Sequence, residues 1–242
     1  MNTYDLIISR MSCDKEIFCD FFANLYNCGK SEIICDYRDD DNFSFRRINL
    51  AFGLNDITIY FTDPDYFNGI MSASGGANII SVITPTDADF SKYSAEWDIN
   101  KRRQFCKSIA SESPATDGIT LLDTSHADLM SACTSDRARD YYEMAVQYGD
   151  DCYAVIDGDI RSFIGTSAVK KSGMIEICWI YTEPDYREKG YASELLKKVS
   201  DRYAAEGLTV TYHCAESNIA SAKTALKSGF IETDTEIIFE RK

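Results

Sequence analysis

Residues 175–206 read IEICWIYTEPDYREKGYASELLKKVSDRYAAE. The stretch opens as an apolar, β-branched run (Ile175, Ile177, Ile180), is stopped by Pro184, turns through Arg187 to Ala192, and resumes with helical periodicity at Leu195, Leu196, Val199 and Tyr203. That pattern is strand, turn, helix. The first backbone N–H groups of a helix have no partner inside it, and the aligned peptide dipoles add partial positive charge at that end. A helix start of this kind can hold a phosphate. Gly190 lets a ligand approach the backbone closely, and Ala192 is the smallest side chain that still favours helix.

Further along, residues 218–230 read NIASAKTALKSGF. Asn218 is a good N-cap for a helix over 220–227, and Gly229 terminates it. The spacing R-x-x-G-x-A, with Pro184 three residues before Arg187, resembles the acetyl-CoA pyrophosphate loop of the GNAT superfamily of N-acetyltransferases. A following strand, an asparagine, a short helix and Gly-Phe at this separation strengthen the likeness, which covers residues 118–242. The form T-x-P-x-Y-R-x-K-G-x-A is similar to members that carry an extra N-terminal domain. The resemblance implies an α/β (α+β) fold, with a mixed, mostly antiparallel sheet flanked by helices. Residues 1–115 would form a smaller α+β domain before the acetyltransferase domain at 118–242.

The remainder of the chain is consistent with a globular protein. At 242 residues and 45% hydrophobic content it can bury a sizeable core. The nine cysteines include no C-x-x-C pair and only two histidines to join them, so neither a metal site nor a disulfide framework is expected. The N-terminal residues lack a signal-peptide pattern and no run is long enough for a membrane span, which suits a reducing cytoplasm. The net charge of −14 is spread over both halves. It argues against nucleic acid, favours a cationic partner, and also serves solubility. A homodimer is compatible with everything in the sequence.

In the N-terminal half, Ile17, Phe18, Phe21, Phe22 and Leu25 have the spacing of an amphipathic helix over 15–26. Strands are expected at 43–49, 56–62 and 78–84, helices at 64–72 and 94–109, and a solvated acidic loop at 38–42. The stretch SESPATDG, 111–118, has linker composition. Beyond it, the pattern predicts a strand at 119–122, helices near 127–133 and 136–148, and a hairpin of strands 152–156 and 160–169 turning at Asp157-Gly158. A turn at 171–173 and strands at 208–214 and 235–241 complete the reading. No internal repeat is evident.

Acetyl transfer to an amine needs a neutral nucleophile, an anchored thioester, a donor for the developing oxyanion and a proton for the leaving thiolate. By the resemblance, the pantetheine arm of acetyl-CoA, the cosubstrate, runs along the backbone of Ile180, Tyr181 and Thr182. The pyrophosphate then sits on the N–H groups of Glu188, Lys189, Gly190, Tyr191, Ala192 and Ser193, with Arg187 or Lys189 adding charge. Asn218 and Ser221 belong to the same cofactor side. Glu176, eleven residues before Arg187, matches the general-base position of the histone-acetyltransferase branch. It reads either as that base, with a raised pKa, or as a half-exposed glutamate paired with a lysine. His213 reads as a structural histidine. Where family members often carry a tyrosine proton donor, this chain has Ala225; Tyr181, Tyr212, Cys214 or water would have to replace it. The resulting expectation is an acetyl-CoA-dependent N-acetyltransferase acting on a small primary amine, cationic in character. Acetylation of a protein lysine or N-terminus, or an inactive CoA-binding sensor, are the alternatives.

Overall fold

The computed structural model describes residues 2–15, 17–18, 21, 32–49, 54–110, 117–169 and 173–242. The expected helix over 15–26 lies largely outside them, as do most of the linker at 111–118 and part of the turn at 171–173. Contacts divide the chain into two compact units. One comprises 1–104, 215–217 and 233–242; the other comprises 105–214 and 218–232. The C-terminal residues thus join the first unit, whereas the linker composition places the only boundary near 111–118.

In the first unit, helix α1 (Thr3–Cys13) starts on Asn2, whose side chain accepts the Asp5 N–H at 2.8 Å. Strands β1 (Glu32–Asp39), β2 (Asn42–Asn49) and β3 (Leu54–Phe61) form an antiparallel meander. Helix α2 (Pro64–Ser72) then crosses to β4 (Ile79–Ile83), which runs parallel to β3. Two further strands complete the unit's sheet, in the order β1-β2-β3-β4-β11-β5: the first part of β5 (Trp97–Lys107) and most of β11 (Ile231–Arg241). Phe18 and Phe21 are fully buried and pack on Phe43, Phe45 and Tyr60, so the described part of the aromatic stripe is core. On α2, Phe67 stacks on Phe61 at 4.7 Å. Of the acidic loop expected at 38–42 only Asp40 and Asp41 form the turn: Arg38 and Asp39 end β1, Asn42 opens β2 and is buried, and Arg38 pairs with Asp63 at 2.6 Å.

Three elements of this unit differ from expectation. Helix α1 and strand β1 were not foreseen, because neither TYDLIISRMSC nor EIICDYRD has a strong apolar period. The stretch read as a helix over 94–109 is mostly strand β5. Its polar run NKRRQ suits either state, and burial of Trp97, Phe105 and Cys106 in a sheet prevails over local preference.

The second unit begins with Phe105. A short strand β6 (Thr120–Leu121) leads through a 3₁₀ turn to helices α3 (Ala127–Ser131) and α4 (Asp136–Tyr148). Strands β7 (Cys152–Asp157), β8 (Asp159–Val169) and β9 (Met174–Thr182) continue as an antiparallel meander, turning at Gly158 with φ +75°. Helix α5 (Tyr191–Ala205) crosses to β10 (Thr209–Ala215), parallel to β9, and helix α6 (Ile219–Lys227) follows. The sheet is therefore mixed and mostly antiparallel, flanked by helices, as the resemblance implies. Leu195, Leu196 and Val199 of α5 and Ala222 and Ala225 of α6 pack on one face, with Ile175, Ile177, Val210 and Tyr212 of the sheet. Ala138, Tyr142 and Ala145 of α4 pack in a separate core with Cys152, Ala154 and Phe163, against which Trp179 and Tyr181 also lie.

The meander, crossover helix and parallel strand thus occur twice in the chain. The copies differ where it matters. The β3–β4 ladder runs from Asp56↔Ile79 to Tyr60↔Ile83, through the whole of β4. The β9–β10 ladder stops at Ile177↔Tyr212, although both strands continue. This repeat is one of topology; no repeat in sequence accompanies it.

Gly165 on β8 holds the α4 side of the second unit together. A Cβ there would lie 2.6 Å and 2.8 Å from Cδ1 and Cζ of Tyr141, and closer still to Cε1. The tyrosine ring occupies the space that any side chain would need. Gly165→Ala is expected to cost about 1–3 kcal/mol, as overpacking does. Thermal unfolding of Gly165→Ala, Tyr141→Ala and the double variant checks it: a strong non-additive recovery in the double variant identifies the ring as the cause.

Candidate functional site

The site is built on the second half of β9. A bulge falls at Cys178, where β8 pairs Gly165 with Trp179 but Thr166 with Ile177, leaving Cys178 without a partner residue. A bulge adds local bend and twist. Beyond it β9 has no ladder to β10, so the backbone of Cys178 to Thr182 on that side is not committed to sheet. Ile180, Tyr181 and Thr182 lie in this stretch. The side chain of Ile180 packs toward α5 and α6, while the Tyr181 hydroxyl shares a 2.7 Å hydrogen bond with Thr134.

The loop that follows is conformationally special. Glu188 has φ 63°, the one non-glycine residue with positive φ in the described structure, and Gly190 has φ 90°. A non-glycine residue held in this region costs about 1–3 kcal/mol, and such residues cluster at ligand sites. Gly190 is the N-cap of α5 and gives it no side-chain cap hydrogen bond. By contrast, α1, α2, α4 and α6 are capped by Asn2, Asp63, Ser135 and Asn218. The α5 N-terminus therefore presents its free N–H groups and dipole to a cleft of about 610 Å³, lined by the loop and α6. A Cβ on Gly190 would meet no atom within 4 Å, so a side chain there would project into space that is empty of protein. Free donors, positive potential and room are what a pyrophosphate requires. The residues present fit the adenine-nucleotide end of CoA.

Of the cofactor residues expected from sequence, Thr182, Arg187, Glu188, Gly190, Tyr191, Ala192 and Ser193 line this cleft. Lys189 turns its Nζ to the Asp185 carbonyl oxygen at 2.8 Å. Asn218 caps α6 by accepting the Ser221 N–H at 3.1 Å, and Ser221 Oγ is hydrogen-bonded to the Tyr212 hydroxyl. Neither Asn218 nor Ser221 lines the cleft. The α6 residues that do are Ala220, Lys223, Thr224 and Lys227. Sequence reasoning missed them, although Lys223 and Lys227 share one helix face by their spacing.

On the other side of β9, Glu176 Oε1 lies 3.6 Å from His213 Nδ1, each side chain partly buried. The pair comes from adjacent parallel strands just before and beyond the point where their ladder ends. Neither reading of Glu176 foresaw a histidine partner, and His213, read as structural, sits beside the candidate base. Cys178 lies next along β9, where burial and then the Glu176 charge push its thiol up to about 12. It stays protonated at neutral pH and is a poor nucleophile. Ala225, in the position where the proton-donating tyrosine was expected, is fully buried beside Tyr212, whose own ionisation burial pushes up.

A second cleft in this unit, of about 350 Å³, is walled by Asp159, Glu183, Asp185 and Tyr186 together with the α3–α4 turn. Burial alone would raise the Glu183 carboxyl; hydrogen bonds from Cys133, Thr134 and Tyr181 outweigh it and hold the group below the usual range. Glu183 accepts the Thr134 N–H at 2.8 Å and its hydroxyl at 2.5 Å, which ties the α3–α4 turn to the end of β9.

Residues 121–230 match the Acetyltransferase (GNAT) family model. No curated protein matches the chain at a significant level. Among solved structures it is similar to an acetyltransferase of the GNAT family from Colwellia psychrerythraea, at 13% identity over 97% of each chain and a TM-score of 0.55. A GCN5-related N-acetyltransferase from Kribbella flavida aligns at 12% identity over 93% of this chain and 95% of its own, with a TM-score of 0.54. A functionally unknown conserved protein of Staphylococcus epidermidis reaches 0.59 at 14% identity, over 93% and 96%. At these identities the likeness is one of fold. No helix among the described residues is long and apolar enough to cross a membrane.

Proposed function

We propose that this acetyltransferase moves the acetyl group of acetyl-CoA directly to the primary amine of a small, cationic molecule. The carrying observation is that the β9–β10 ladder ends at Ile177↔Tyr212, directly beside the bulge, while α5 begins without a side-chain cap. Acetyl-CoA supplies an activated thioester. The α5 N-terminus would hold its pyrophosphate, and the uncommitted backbone of Cys178 to Thr182 would orient the pantetheine arm and donate to the thioester carbonyl oxygen.

Glu176, steadied by His213, would remove a proton from the acceptor ammonium so that a neutral amine attacks the carbonyl carbon. The carbon–sulfur bond then breaks, and the proton that the nitrogen sheds as it becomes an amide balances the one that the leaving sulfur takes up. Cys178, protonated at neutral pH, does not form an acyl-enzyme, which favours direct transfer over a two-step exchange. The cationic acceptor is supported by the net charge of −14 and by the carboxylates of Asp159, Glu183 and Asp185 on the second cleft, whose lining includes no lysine or arginine.

Glu176→Gln tests the base. It is expected to lower kcat by about 10²–10³-fold, within the usual range for losing a general base, and to flatten the acid limb of the kcat/KM profile. CoA affinity, read by calorimetry, should stay within twofold on the order of ordinary surface changes. An unchanged pH profile removes Glu176 from the mechanism.

A further inference from the structure

A further cavity, of about 240 Å³, lies between α4 and the bulged part of β9, apart from the two clefts above. Trp179 comes from the strand, and Arg137, Asp140, Tyr141 and Met144 come from one face of the helix. Met144 is 45% exposed, a large apolar side chain that the described residues leave uncovered. Trp179 Nε1 is buried and has no hydrogen-bond partner among the described residues, although a buried indole N–H usually finds one. The indole therefore stands at this wall for its apolar surface. Tyr141 is held in place: its ring fills the space over Gly165, and its hydroxyl donates to the Thr166 carbonyl oxygen at 3.3 Å.

The cavity adjoins the candidate base. The Tyr141 hydroxyl is within hydrogen-bond reach of the thiol of Cys178, the bulge residue, which stands two residues from Glu176. Trp179 is three residues beyond Glu176, at most roughly 10 Å along a strand. A ring on a short chain spans that distance. Arg137 and Asp140 bear opposite charges, so the lining favours a neutral group and leaves an ammonium to Glu176. An apolar cavity of roughly 150 Å³ takes a benzene ring, so this larger one has room for a ring with a substituent. We infer that the acceptor is a primary amine joined by a short alkyl chain to an aromatic ring, and that Trp179, Tyr141 and Met144 select it by seating the ring. Rings set edge-on or offset against an indole and a phenol gain beyond the area they bury, and a thioether sulfur adds to this, whereas a saturated chain gains by area alone. The inference rests on the reading above that Glu176 deprotonates the acceptor.

Turnover of 2-phenylethylamine, 2-cyclohexylethylamine and n-butylamine by the full chain, native, Trp179→Leu and Met144→Ala, tests this. The native kcat/KM for 2-phenylethylamine is expected to exceed that for n-butylamine by roughly tenfold or more, and that for 2-cyclohexylethylamine by about threefold. In Trp179→Leu the preference over n-butylamine should fall to within about threefold, chiefly through KM. It should narrow in Met144→Ala as well, where the exposed position leaves the fold intact. A merely structural role for Trp179 would lower all the rates alike and leave the ratio unchanged. The chain has two tryptophans, so indole emission gives a readout without turnover. With saturating desulfo-CoA present, 2-phenylethylamine should change the native emission saturably, and the change should be missing in Trp179→Leu. Equal use of the phenyl and cyclohexyl amines overturns the aromatic assignment. Equal use of all three, or a ratio that survives in both variants, overturns the pocket while leaving acetyl transfer in place. An emission change without turnover of any amine supports the pocket and overturns the transfer reading, and the absence of both overturns both.

Discussion

Gly190→Glu is expected to abolish measurable CoA binding, a loss of at least about 100-fold, or roughly 2.7 kcal/mol. The substitution acts where sequence and geometry agree most closely. Gly190 precedes an α5 N-terminus that has no side-chain cap, lines the cleft, and would carry a Cβ that meets no protein atom within 4 Å. A glutamate therefore fits the fold and fills the phosphate position with a like charge. Its carboxylate would also cap the free N–H groups itself, a gain of about 0.3–1 kcal/mol for a negative charge at a helix start. Against that stands the φ of 90°, which a non-glycine residue adopts at a cost of about 1 kcal/mol or more. These terms nearly offset one another, so the variant should fold with a melting temperature close to the native one. Gly190→Ala separates the contributions, since it keeps the φ strain but adds neither charge nor bulk, and it should lose far less affinity. Unchanged CoA binding in a folded Gly190→Glu protein would remove the loop from the cofactor site.

Asp201→Ala should be the most destabilising single change in the second unit, at about 3–5 kcal/mol. Asp201 Oδ1 lies 2.7 Å from Lys107 Nζ, with side chains 4% and 2% exposed. The same ammonium donates to the Ser228 carbonyl oxygen at 2.7 Å and to Ser200 Oγ at 3.2 Å. Lys107 thereby joins the end of β5 to α5 and to the turn after α6, the two helices that line the cleft at the α5 N-terminus. Removing the carboxylate leaves this ammonium buried with neutral partners only, which is far worse than never having buried it. Lys107→Met should cost less, because Asp201 keeps Lys197 at 3.1 Å. Domains are stable by only about 5–15 kcal/mol, so Asp201→Ala should bring unfolding close to working conditions. Urea midpoints of both variants and of Lys107→Met/Asp201→Leu decide it. A loss below about 1 kcal/mol in Asp201→Ala would show a pair that behaves as though exposed.

Local chemistry made much of the second unit legible in advance. Helix α4 lies at 136–148 and the hairpin turns at Asp157-Gly158, both as read, because a serine cap and a glycine in the left-handed region are properties of neighbouring residues. The α5 loop was legible for the same reason. Helix α2 in the first unit was equally so, opening on Asp63 and Pro64. Where a segment lacks such punctuation the reading failed. Strand β5, with its polar middle, takes its conformation from the strands that pair with it.

The sequence by itself determined the order of elements from 119 onward, the helix that begins at Tyr191 without a side-chain cap, and the glycine that opens its start to a ligand. These rest on short-range sterics and on dipoles, which a linear reading can follow. Only the tertiary structure decided that β9 and β10 part after Ile177 and Tyr212, that Glu176 meets His213, and that Lys223 and Lys227 line the cleft at the α5 N-terminus. It also decided that residues 233–242 belong with the N-terminal unit, where Ile237 pairs with Val82 and Phe239 with Ile80. Each of these depends on which strand lies beside which and on which helix face turns inward. Those choices are made by burial of apolar surface between segments far apart in the chain.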